Sequence, residues 1–150
     1  PAAQPQASLR SEASQPGRNL EPLLADSPDE QQLRALVQGW LDSKALALQG
    51  QPSDLSVVAR KRLIERVDRD RAADVAAGYS TTVEASVTAL DVVSRQPRRI
   101  ELKAEVAYSD KTINAAGAVV RSTDPGSFSI TYILGRDGDQ WRLTAYIPNP

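Results

Sequence analysis

The chain has 150 residues, a net charge of −1, 41% hydrophobic and 25% charged residues, and no cysteine, histidine or methionine. That length suits one domain with its own core, and near-neutral charge gives no electrostatic drive toward nucleic acid or an anionic membrane. The missing cysteine and histidine exclude disulfides, thiolate nucleophiles, Ser-His-Asp chemistry and the usual zinc sites.

Residues 1–26 (PAAQPQASLRSEASQPGRNLEPLLAD) are dominated by Pro, Ala, Gln and Ser and sustain no period. They read as a disordered tether, with docking of the short apolar patch at residues 20–24 as the alternative. The chain opens on Pro1 rather than methionine, so we read it as part of a longer protein. No signal peptide is visible, and no apolar run reaches the about 20 residues that span a bilayer. Any membrane anchor is therefore expected upstream of Pro1, and residues 27–150 are expected to form one domain.

Order is predicted to begin at SPDE (residues 27–30), with Ser27 as N-cap, Pro28 at the first helical position and Glu30 completing an S-x-x-E box. Leu33, Leu36, Val37, Trp40, Leu41, Ala45 and Leu48 then recur at helical spacing until Gly50 and Pro52 stop the helix. A short helix capped by Ser53 or Asp54 is expected to lead, after a bend near Arg60, into a longer one. Its apolar face is expected to be Leu63, Ile64, Val67, Ala72, Val75 and Ala76, ending at Gly78.

The period then changes to two. One predicted strand turns Val83, Ala85, Val87 and Ala89 inward. After a hairpin link containing Pro97, the next turns Ile100, Leu102, Ala104, Val106 and Tyr108 inward and Glu101, Lys103 and Glu105 outward. Two further strands place Phe128, Ile130, Tyr132 and Leu134, then Trp141, Leu143, Ala145 and Ile147, on the buried face, with residues 135–139 as the turn between them. Residues 109–126 are expected to be a long functional or mobile loop holding at most a short irregular strand. Helices followed by strands with one wet face predict an α+β fold, with the N-terminal helices packed in a curved antiparallel sheet that leaves a cone-shaped cavity.

The residues offer little chemistry. Arginines in the run over residues 60–71 interleave with Glu65, Asp68 and Asp70 at spacings that suit pairing on a helix surface, so a solvated face is expected rather than a nucleic-acid contact. Nothing in the spacing brings Asp68, Asp70, Asp74, Glu101 or Glu105 into a catalytic pair. The glycines form no phosphate loop, and no metal-ligand cluster is visible. We therefore expect no enzyme, no cofactor and no metal. Among the aromatic residues (Trp 2, Tyr 4, Phe 1), Trp40 is assigned to the core with Leu36, Val37 and Leu41. Tyr79, Tyr108, Phe128, Tyr132 and Trp141 are candidates to line a partner-binding pocket, each with a plain core role as the competing reading.

Three stretches, LVQGWLDSKALAL, VDRDRAADVAAGYSTTVEASVTALDV and WRLTAYIPNP, in that order resemble the C-terminal domain of the cyanobacterial and chloroplast division protein family that includes ZipN. The resemblance implies a cone-shaped fold of the nuclear transport factor two class. It also implies a place on the periplasmic or intermembrane-space side of a membrane-anchored protein, opposite the FtsZ ring, where the domain receives the tail of a division partner. The alternatives are a small-molecule-binding or enzymatic domain of the same cone fold, a spacer domain, or the same domain carried by another cyanobacterial protein such as a kinase.

Overall fold

The computed structural model describes residues 27–150; the tether and patch expected within residues 1–26 lie outside the described residues. Helix α1 (Glu30–Leu48) is followed by a 3-10 turn (Leu55–Val57), helix α2 (Lys61–Ala77) and four strands: β1 (Ser80–Gln96), β2 (Arg99–Ile113), β3 (Val119–Asp137) and β4 (Gln140–Pro148). The strands pair in sequence order as one antiparallel meander. Both helices pack against the concave face of this curved sheet, giving the α+β architecture expected.

Helix α1 is capped by Asp29, not Ser27. The Asp29 carboxylate accepts from the Gln32 backbone N–H and the Gln32 side-chain oxygen accepts from the Asp29 N–H, each at 2.8 Å, so the box is D-x-x-Q two residues further on. The reason lies in the sheet: Arg95 of β1 donates to the Ser27 hydroxyl at 2.7 Å and to the Pro28 carbonyl at 2.6 Å, holding both outside the helix. The helix buries Leu33, Val37, Trp40, Leu41 and Leu48 against the sheet, with Leu36 packed beside them.

Helix α2 departs from its predicted face. Leu63 and Val67 are buried, but Ala72, Val75 and Ala76 are exposed and the buried residue of the last turns is Asp74. Seven residues separate Val67 from Asp74, two helical turns, so the inward stripe runs straight from one to the other. Gly78 ends the helix at φ 75°, and the Tyr79 N–H reaches back to the Asp74 carbonyl at 2.8 Å. Nothing lies within 4 Å of a Cβ built there, so only backbone strain opposes a side chain. Gly78→Ala is expected to lower stability by about 1 kcal/mol in denaturant unfolding without altering the fold.

Two bulges redirect the strand faces. In β1, a register shift between Val87 and Ala89 turns Leu90 and Val92 inward and leaves Ala89 exposed. In β4, a shift opposite Ile133 and Leu134 brings Tyr146 over Tyr132, while Ile147, expected inside, is 52% exposed. Residues 109–126 are not a loop: β2 continues to Ile113, a turn through Asn114 and Gly117 follows, and β3 begins at Val119. This makes a long hairpin extending beyond β4, which pairs only with residues 130–137 of β3.

The outer edges of the sheet are partly closed from within the chain. Residues 58–60 lie parallel to β4, with Arg60 N–H donating to the Leu143 carbonyl at 2.9 Å and Leu143 N–H to that of Val58 at 2.7 Å. On β1, Gln38 bonds the backbone of Val87 and Ala85, and Arg34 donates to the Val87 carbonyl at 2.7 Å. Such closure removes free backbone groups that would otherwise recruit another strand.

Candidate functional site

The helices cover the β4 side and the middle of the concave face, and only the end of α2 reaches toward the hairpin. The core there contains Trp40, Leu102, Tyr132, Leu134, Trp141 and Leu143. The rest, built from the first residues of β1, the last of β2 and the first of β3, faces a cleft of about 450 Å³ between the C-terminal ends of both helices and the hairpin. Lys44, Tyr79, Thr81, Tyr108, Thr112 and Arg121 are among the residues that line it. A second hollow of about 510 Å³, beneath Leu41 and Ala45, adjoins it and shares Val83 and Tyr108.

The cleft floor carries a polar chain. Antiparallel register sets Thr81, Thr112 and Arg121 side by side on three strands, and the inward stripe of α2 brings Asp74 down onto them. Its carboxylate accepts from the Thr81 hydroxyl at 2.7 Å and from Arg121 at 2.8 Å, and the Thr81 and Thr112 hydroxyls are 2.8 Å apart. Burial pushes the Asp74 carboxyl up, but the hydrogen bonds from Thr81 and Arg121, with the charges of Arg121 and Arg71, outweigh it and hold the group below its ordinary range. Nearer the middle of the sheet, Tyr108 donates to the Asp110 carboxylate at 2.7 Å. Burial first, and then that acidic neighbour, push its phenol above the ordinary tyrosine range.

Beside the cleft stands an aromatic group on which cations converge. The Tyr146 ring lies 5.8 Å from that of Trp40 and 6.3 Å from that of Tyr132. Lys44 and Arg66 each sit 5.1 Å from the Tyr146 ring centre, and both donate to its hydroxyl, at 3.3 and 3.1 Å.

Among the aromatic residues put forward from the sequence for partner contact, Tyr132 and Trp141 stand in the core, 1% and 8% exposed, and so support the cleft rather than line it. The Trp141 indole N–H is buried with no acceptor among the described residues. Tyr79 and Tyr108 reach the cleft walls. Phe128, 42% exposed, packs edge-on against Tyr108 at 6.0 Å. It keeps its inward register opposite Val106, but no helix covers it. Trp40 is 2% exposed, in the core. Sequence reasoning missed Tyr146 because strict alternation put Ile147 inside, and missed Asp74 because three aspartates on one helix read as a wet face. The signal for Asp74 was its distance of two turns from Val67. Among the described residues, no group of three or more acidic, histidine or cysteine side chains is placed to hold a metal ion.

The fold has a counterpart among solved structures. The crystal structure of the intermembrane space region of chloroplast protein ARC6 superposes with a TM-score of 0.64 at 18% identity, covering 81% of this chain and 97% of that one. At that identity the likeness concerns the fold. No curated relative matches the sequence at a significant level. The family model described as "ARC6-like, IMS domain" matches residues 34–144, which hold both helices almost complete, the cleft and the start of the closing strand. The chain belongs to that family, the intermembrane-space type of domain carried by division proteins.

Proposed function

We propose that this domain is a non-catalytic receptor for a segment of another division-complex protein, held in the open part of the concave sheet. The carrying observation is the asymmetry of coverage. Two helices bury the apolar part of the sheet face, and the rest ends in a cleft with a polar floor, walled by Tyr79 and Tyr108 with Phe128 exposed beside it. An exposed aromatic beside a partly filled cleft suits an extended peptide, whose side chains supply the missing cover. Family membership favours the intermembrane-space or periplasmic side of a membrane-anchored protein as its place, with a division protein's tail as the occupant.

The test is calorimetric titration of the domain with tail peptides from division-complex proteins. Tyr108→Ala and Phe128→Ala are each expected to weaken binding by roughly tenfold or more, as removal of an aromatic anchor does, with little loss of fold because both side chains are partly exposed. The proposal fails if none of these tails binds, or if the double variant binds as the wild type does.

A further inference from the structure

We infer that Lys44, Arg66 and Tyr146 form a receptor for a carboxylate beside the cleft. Three hydrogen-bond donors meet at one place. The Lys44 ammonium and the Arg66 guanidinium both point at the Tyr146 oxygen, 3.3 and 3.1 Å away. An oxygen that accepts from both has its own proton left to give, and no acceptor for it is present among the described residues.

Neither cation has a carboxylate within ion-pair distance among the described residues. Arginines elsewhere in the domain do: Arg60 pairs with Asp137 at 2.7 Å and Arg121 with Asp74 at 2.8 Å. Two positive groups fixed on one phenol with no carboxylate in ion-pair contact repel each other, and a bound anion relieves that repulsion while accepting a hydrogen bond from each of the three groups.

The position fits a ligand rather than a surface accident. Lys44 is itself a lining residue of the cleft. The Tyr146 ring is held by Trp40 and Tyr132, so the donors stand on a rigid base. A carboxylate, with two oxygens and acceptor capacity only, matches two cations and a hydroxyl. The natural occupant follows from the proposed peptide-receptor role and rests on that reading: a carboxylate of the partner segment, from its C-terminus or from an acidic side chain.

The experiment is an NMR titration of the isotopically labelled domain at constant ionic strength. The probes are N-acetylglycine, which presents a terminal carboxylate, the methylamide of N-acetylaspartic acid, which presents a side-chain one, and N-acetylglycinamide as the neutral control. At least one acid is expected to shift the resonances of Lys44, Arg66 and Tyr146 saturably, and the tighter of the two identifies the source. Lys44→Met with Arg66→Met is expected to weaken that binding at least tenfold. Tyr146→Phe, which removes one donor and keeps the ring, is expected to weaken it several-fold and serves if the double variant does not fold. Equal shifts with the neutral control, no saturable shift with either acid, or wild-type binding by the variants overturns the inference. The probes carry no partner sequence, so failure of the tail titration leaves this result standing, and failure here with an intact tail interaction overturns the carboxylate site alone.

Discussion

Replacing Trp40 with alanine is expected to destabilise the domain by about 3–5 kcal/mol, the range for truncating a large buried aromatic. The side chain is 2% exposed and lies between the leucine stripe of α1 and the Tyr146 ring, 5.8 Å away. Its loss opens a cavity where α1, β3 and β4 meet, and packing density there leaves neighbours little room to collapse. Equilibrium unfolding in denaturant reads the effect, with an unchanged slope showing that the folded state still buries the same surface. Wild-type stability with abolished partner binding would instead move Trp40 from the core to the site.

Asp74→Ala is expected to cost roughly 2–3 kcal/mol, because it removes the acceptor on which the buried Thr81 and Thr112 hydroxyls depend. The penalty stays below that of a stranded buried charge, since the Arg121 side chain is 58% exposed and returns to water. The loss is local: hydrogen exchange should quicken at the start of β1 and in the hairpin while the β4 side stays protected. Acid titration tests the same carboxylate. Its pKa in the fold is held below the ordinary value, so the folded state favours the ionised form. That stabilisation is present above about pH 4, the ordinary aspartate range, and disappears as pH falls through the depressed value. Asp74→Asn is expected to flatten this acid limb in denaturation midpoints measured from pH 2 to 7. Part of the limb survives, because Asp137, bonded by Arg60, is depressed as well.

The layout of the elements was legible because each announced its own period. The leucine stripe of α1, the clean alternation from Ile100 to Val106 and the stop at Gly78 are local features, and local physics places them correctly. Failures arose where a distant contact chose between local options. Arg95 takes Ser27 from the helix start, so Asp29 becomes the cap. Bulges in β1 and β4 exchange Ala89 for Leu90 and Ile147 for Tyr146. Residues 109–126 looked like a loop because their strands carry polar side chains: Thr112 and Arg121 face a cleft rather than a packed core. The candidate site was the least legible part for the same reason. Its residues come from both helices and several strands, and only the sheet register together with the inward stripe of α2 brings Thr81, Thr112, Arg121 and Asp74 together.

The parallel pairing of residues 58–60 with Leu143 joins segments more than eighty residues apart. β4 also completes the core with Trp141, Leu143 and Tyr146. Until that last strand arrives, Leu134 and Tyr132 lack a neighbour on one side and the segment before α2 has nothing to align on. During synthesis the helices leave the ribosome before this strand does. Closure of this domain is therefore a late, long-range event, the kind that loop entropy makes slow. Before it, the exposed half-core is a surface for misassociation. Truncation within β4 is consequently a whole-domain lesion, although it removes fewer than ten residues of regular structure.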